Sequence, residues 1–285
     1  MLSQCILLLK KIHFKGVKDD WVAEKRLDIA LVENRLASSR ERAKEMIKSG
    51  QVTINGNSCD KPSKIIFEND KLEIIGETLK YAGRGGLKFE HALDKFEISV
   101  KECVCVDIGA STGGFTDCML QNGAKKVYAV DVGHSQLVEV LKNNIKVVNM
   151  EKTDVRTLTK QSFNESINFI ATDVSFISLK LVLPKIYELL EDNCQAVVLI
   201  KPQFEAGKSN LNKNGIVRDS KVHIKVLKDI YSYSQSLGFS IKGLCFSSIK
   251  GGKGNIEYLM LLEKSCDKSK LFDFKNLVED AFYIL

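Results

Sequence analysis

From residue 101 onward, short apolar runs alternate with stretches of helical periodicity, and that alternation leaves one main architecture open. The apolar runs fall at 104–108, 127–132, 146–149, 169–174, 196–200, 243–247 and 258–262. Helical patterns lie between most of them, notably over 115–121, 179–190 and 222–237. Strands separated by helices at this spacing predict a mostly parallel sheet covered on both faces. Ligand-handling residues then belong at the carboxyl ends of the strands, beside the point where the strand order reverses.

The chain before residue 101 has a different pattern. Asp28, Ile29, Leu31, Val32 and Leu36 form one apolar helical face. Ser38-Ser39 caps a second helix from Arg40 to Lys48, which Gly50 ends. Gln51 to Asn55-Gly56 reads as a strand entering a tight turn, and the run 71–75 alternates as a further strand. A small α+β unit over 23–80, a glycine-rich joint over 81–86 and a large α/β unit over 87–285 are therefore expected, after an N-terminal extension over 1–22. That extension carries the apolar run Cys5-Ile-Leu-Leu-Leu9, too short to span a bilayer, with its basic residues after the run where a signal peptide has them before.

Composition excludes several classes. Charged residues at 27% and hydrophobic residues at 44% are ordinary globular values, which argues against disorder and low complexity. The eight cysteines include no Cys-x-x-Cys pair, and four scattered histidines argue against a zinc site. A reduced, cytoplasmic setting is expected. The net charge of +6 is unevenly placed: residues 201–257 hold 10 Lys+Arg against 4 Asp+Glu, while residues 1–200 hold 28 against 27. A polyanionic partner is expected to dock near that stretch.

The strongest local signal is the loop after the first of the alternating strands. Asp107-Ile-Gly109-Ala110-Ser111-Thr112-Gly113-Gly114-Phe115 has the glycines a backbone needs to turn sharply beside a ligand. Asp131 follows the next strand, where a carboxylate can accept both hydroxyls of a ribose. Asp154 follows the third, where it can receive an adenine amino group. The loop is not G-x-G-x-x-G, and Asp107 is unsuited to a pyrophosphate but suited to a cation such as a sulfonium. A nucleoside cofactor is the expectation. Further along, Asp173 and Lys201 stand at the tips of the fourth and fifth strands, and Glu257 precedes the last. Three such tips are expected to face one crevice.

These segments carry a resemblance. Asp107 to Asp117, Asp173-Val-Ser-Phe-Ile-Ser178, Lys201-Pro-Gln-Phe-Glu-Ala-Gly207, Gly215-Ile-Val-Arg-Asp219 and Gly254-Asn-Ile-Glu-Tyr258 look like the TlyA (hemolysin A) family, which resembles the FtsJ-type RNA 2′-O-methyltransferases. The likeness runs from about Arg26 to Leu262. It implies a Rossmann-like S-adenosyl-L-methionine-dependent sheet joined to an N-terminal S4 RNA-binding domain. It further implies a catalytic tetrad of Lys88, Asp173, Lys201 and Glu257; Lys88 by itself reads as a surface residue of a helix. The implied reaction is 2′-O-methylation of cytidine in ribosomal RNA, with ribosomal RNA or a ribosomal subunit as partner. One departure is Gly83, where the family pattern has Ser before Arg84-Gly-Gly; the extension over 1–22 is another.

The chemistry asks for in-line geometry, a base and a dry pocket, and no metal, because the donor's sulfur already activates its methyl. Lys201 is the candidate base. At ~10.4 an ordinary lysine is too basic for the task, so burial and the charge of Lys88 are expected to favour its neutral form, with Asp173 and Glu257 orienting the lysines and opposing that effect. Arg26, Arg40, Arg42, Lys44 and Lys48 in the small unit, with Arg84 and Arg218, are the candidate RNA contacts. Phe204 is placed to stack a splayed base or to serve the core. Three alternatives remain open: a nicotinamide-dependent oxidoreductase, a non-catalytic ribosome-binding factor, and direct haemolysis, for which no spanning segment speaks.

Overall fold

A computed structural model describes residues 24–34, 36–37, 40–48, 50–75 and 80–285. The extension over 1–22, Arg35 and the Ser38-Ser39 cap lie outside the described residues, as does the side chain of Arg42. The chain divides at residue 78 into two units.

In the first unit β1 (Lys25–Arg26) leads into α1 (Leu27–Glu33), and α2 (Arg40–Lys48) follows. Three strands, β2 (Val52–Ile54), β3 (Asn57–Ser58) and β5 (Leu72–Ile74), form a sheet of order β3-β2-β5, while β4 (Ile65–Ile66) pairs with β1. Leu27, Leu31, Ala43, Met46, Ile47 and Val52 make the core. Asn55 and Gly56 both take positive φ, 52° and 79°, so the β2–β3 connection is the tight hairpin that an Asn-Gly pair favours.

The second unit is built on α3 (Gly85–Phe96), β6 (Val104–Ile108), α4 (Gly114–Gln121), β7 (Lys126–Val130), α5 (Glu139–Lys142), β8 (Val147–Met150) and β9 (Ile167–Thr172). It continues with α6 (Leu183–Leu189), β10 (Leu190–Ile200), α7 (Pro202–Glu205), α8 (Ser220–Ser236), β11 (Ser240–Phe246), β12 (Tyr258–Glu263) and α9 (Phe274–Ile284). Seven strands form one sheet in the order β11-β12-β10-β9-β6-β7-β8. The order reverses between β6 and β9, and β12 runs antiparallel to both of its neighbours.

Alternation along the strands feeds two cores. Val104, Val106 and Ile108 of β6, with Ile170 of β9 and Val198 of β10, pack with Leu183, Ile186, Leu227 and Ile230. Cys105, Phe169, Val197 and Leu199 point the other way, to Phe89, Phe115 and Met119. Most expected strands appear within a few residues of their place. The run 179–190 differs: a 3-10 turn at Leu179–Leu181 precedes α6, and Leu190 already opens β10. Pro184 in the first turn of α6 lacks the N–H that would continue a helix from upstream.

Candidate active site

The carboxyl ends of β6, β7 and β9 enclose a cleft of about 530 Å³ lined by Gly109, Ser111, Asp131, Val132, Asp154, Arg156 and residues 173–177. A smaller hollow of about 180 Å³ continues from it, past Ala110, Thr112, Gly114 and Phe115, to Lys201 and Arg84. Gly109, Ser111, Asp173 and Ser175 line both.

The loop's shape explains its sequence. Gly109 has φ 85°, and a Cβ there would stand 2.6 Å from the Asp173 carbonyl oxygen. Glycine therefore lets the tips of β6 and β9 close together. Gly113 makes the turn into α4 at φ 98°, with Leu137 and Leu141 pressed against it, and lines neither hollow. Asp131 receives the Ser111 N–H at 2.8 Å and the Gly133 N–H at 2.7 Å, so one carboxylate fixes both walls of the cleft. Asp154 caps a short turn and is gripped by Arg156, whose Nη2 lies 2.6 Å away. These bonds hold the Asp154 carboxyl below its ordinary range.

One expectation for the loop meets a different placement. Asp107 is wholly buried and lines neither hollow. Pleat alternation turns it to the Cys105 face, under α4, where one oxygen accepts from the Thr116 N–H (2.8 Å) and hydroxyl (2.7 Å). Its other oxygen is buried without a hydrogen-bond partner. Burial, the leading cause, pushes this carboxyl up to about 7. It anchors the loop rather than facing a cation. Phe115, which lines the smaller hollow, is 3% exposed and stacks on Phe89 with centroids 5.0 Å apart.

Beside the smaller hollow stand two ion pairs. Lys88 Nζ lies 2.6 Å from Glu257 Oε2, both side chains being almost fully buried. Lys201 Nζ lies 2.5 Å from Asp173 Oδ1 and donates to Ser175 Oγ at 2.9 Å. Glu257 reaches this place because β12 is antiparallel: its start lies level with the end of β10, Ile200 facing Tyr258. Lys88 arrives on the inner face of α3, with Phe89 and Ala92. It carries its own counterion, Glu257, as Lys201 carries Asp173.

Sequence reasoning missed two polar supports. Ser175 holds Lys201, and Gln203 Nε2 donates to Glu257 Oε1 at 2.9 Å. Each lies two residues beyond a tetrad position, which is the signal that could have found them. It also missed Phe176, 88% exposed at φ 63°, whose ring stands 5.1 Å from that of Phe204. The Lys201 ammonium is 5.7 Å from the Phe204 ring centre.

The proposed RNA contacts divide. Arg26 and Arg40 both bind the buried Asp28 carboxylate, at 2.9 and 3.1 Å, with their side chains about half exposed. Lys48 is exposed and Lys44 half-buried. Arg84 donates to the Lys250 carbonyl at 3.1 Å, and Arg218 is exposed. Among the described residues no group of His, Cys, Asp and Glu could hold a metal, and no helix is long and apolar enough to cross a membrane.

The FtsJ-like methyltransferase family model matches residues 81–264, and the S4 domain model matches residues 25–72. YqxC of Bacillus subtilis, provisionally named an rRNA methyltransferase, is 51% identical over 240 residues, covering 84% of this chain and 85% of that protein. The 16S/23S rRNA (cytidine-2′-O)-methyltransferase TlyA of Mycobacterium tuberculosis is 36% identical over 245 residues, covering 86% and 91%. A solved structure from Streptococcus thermophilus, provisionally named a hemolysin, matches with a TM-score of 0.74 at 45% identity, over 92% of this chain and 96% of that one.

Proposed function

Because the chain belongs to the TlyA family of FtsJ-like methyltransferases, we propose that it methylates the ribose 2′-hydroxyl of a cytidine in ribosomal RNA, using S-adenosyl-L-methionine. The observation that carries this reading is the pairing of Lys88 with Glu257 and of Lys201 with Asp173 beside a nucleoside-sized cleft. The residues present fit the cofactor: Asp131 and Asp154 offer carboxylates along the cleft, Val132 an apolar wall, and Gly109 a close backbone approach. When bound, the cofactor supplies a methyl group already activated by its sulfonium.

The chain's own residues supply the rest. Lys201, once its own ammonium proton has passed to solvent, takes the proton from the 2′-hydroxyl as that oxygen gains the methyl group. Asp173 and Ser175 hold its Nζ, and the Lys88–Glu257 pair is braced by Gln203, two residues beyond Lys201. Phe176 and Phe204 form an aromatic ledge beside Lys201 for the target base. Lys208, Lys213, Arg218, Lys221, Lys250 and Lys253 form no ion pair with a described carboxylate, which leaves their charge for RNA phosphate. The S4 unit, through Arg26, Arg40, Arg42, Lys44 and Lys48, docks the RNA.

An oxidoreductase reading is not favoured. The usual dinucleotide sheet lacks an antiparallel strand slotted between the last two of its order, and the loop lacks the dinucleotide glycine spacing. The test is transfer of labelled methyl from S-adenosyl-L-methionine to ribosomal subunits or their RNA, with the product nucleoside identified. A 2′-O-methylated cytidine is expected; label on a base, or none on RNA, would sink the reading.

A further inference from the structure

Two motifs of the sequence, Gly215-Ile-Val-Arg-Asp219 and Gly254-Asn-Ile-Glu-Tyr258, have so far received no joint role. In the structure they grip each other around one peptide segment. Asn255 is 2% exposed; its Oδ1 accepts the Val217 N–H at 3.1 Å and its Nδ2 donates to the Gly215 carbonyl at 3.0 Å. His223, fully buried on α8, bonds the Val217 carbonyl through Nε2 at 3.0 Å and the Tyr258 hydroxyl through Nδ1 at 2.9 Å. A carbonyl can only accept, so Nε2 carries the proton, Nδ1 accepts, and the Tyr258 O–H donates. Val217 thus has its N–H held by one motif's Asn and its C=O held, through His223, by the same motif's Tyr.

Asn255 and Tyr258 bracket Glu257 in the chain. The Glu257 carbonyl accepts the Ser247 N–H at 2.8 Å, and the Asn255 carbonyl accepts the Gly251 N–H at 2.9 Å. Gly251 packs so closely on the Glu257 carboxylate that a Cβ there would overlap Oε1. Every bond fixes the strand entry from which Glu257 meets Lys88. Buried polar groups satisfied this completely specify one arrangement, and each is costly to leave unpaired.

We propose that Asn255 and His223 are positioning residues that act through Glu257, holding its carboxylate on Lys88 and tying it to the exposed segment that carries Arg218. The proposal rests on the methyl-transfer reading and adds to it the means by which one catalytic group is aimed. It also links the segment of the proposed RNA contact Arg218 to that group: a displacement of Arg218 passes through the Val217 peptide to Asn255 and, by way of His223, to Tyr258, on either side of Glu257.

The experiment is single-turnover methyl transfer by the full chain carrying Asn255→Leu, His223→Leu or His223→Gln, each alone and with Glu257→Gln. Binding of S-adenosylhomocysteine is measured beside it. Asn255→Leu and His223→Leu are expected to slow transfer by about tenfold or more with cofactor-product affinity within about twofold, and to add less than about twofold once Glu257 is Gln. His223→Gln keeps a donor near the Val217 carbonyl and is expected to recover most of the rate. Losses that multiply with Glu257→Gln, an equal loss of S-adenosylhomocysteine binding, or unchanged transfer would each overturn the proposal. Wild-type protein that transfers methyl while the variants behave additively removes the clamp alone. Wild-type protein that transfers none removes the reaction and the clamp together.

Discussion

At Asp107 the chain keeps a carboxyl away from water and from the cleft, and the consequence is a pH dependence of known sign. In the unfolded chain the group titrates near ~4, whereas in the folded protein it holds its proton up to about 7. The native state therefore binds the extra proton across that interval, and the group's contribution to stability is complete below pH ~4 and lost as pH rises through about 7. Asp107→Asn is expected to flatten this decline in thermal unfolding between about pH 4 and 7; an unchanged slope would contradict it. At Lys201 the expected effect is on methyl transfer. Lys201→Ala is expected to lower turnover by at least about 10²- to 10⁴-fold while folding and S-adenosylhomocysteine binding persist. Retained turnover would remove Lys201 as the base. Asp173, Lys201 and Glu257 were legible because polar residues at the edges of apolar runs stand out in one dimension. Lys88 was not, for its partner is 169 residues away; the available hint was its position four residues before Ala92, on the buried stripe of α3.

Among the elements, α8 shows how a helix end serves the site at a distance. Asp219 caps it, accepting the Lys221 N–H at 2.9 Å, and Asp219 also ends the segment that His223 and Asn255 hold. Asp219→Ala is expected to cost about 1 kcal/mol of stability, read as a lower unfolding midpoint. A change within about 0.3 kcal/mol would show that the cap contributes little. The strands were legible from their apolar runs, since burial on both faces leaves few polar positions. What those runs cannot express is neighbour and direction. Nothing in residues 258–262 states that β12 enters antiparallel between β10 and β11, yet that placement brings Glu257 to the other tips. The stretch 179–190 was misread for a related reason: its helical periodicity is real, but a proline and the demand of β10 for Leu190 divide it.

For the whole molecule, two measurements follow from the placement of cleft and charge. S-adenosylhomocysteine is expected to raise the unfolding temperature, and nicotinamide dinucleotide to leave it unchanged; the reverse would return the oxidoreductase reading. Neutralising Lys208 with Lys213, or Lys250 with Lys253, is expected to reduce the salt slope of RNA binding by up to about 2 per pair. An unmoved slope would mean that these lysines only solvate the surface. Sequence showed the charge surplus as a stretch, and the structure adds that eight of its ten basic residues, all but Lys201 and Lys242, form no ion pair with a described carboxylate. The Lys88–Glu257 pair has one more consequence, in the order of synthesis. The residues lining the larger cleft lie between Ile108 and Val182, so a growing chain contains all of them long before Glu257 is added. A ribosome making this protein thus adds the cleft-lining residues first. It must join 169 residues after Lys88 before that lysine has its partner, so the nascent chain contains every residue that lines the cleft while Lys88 still lacks its counterion.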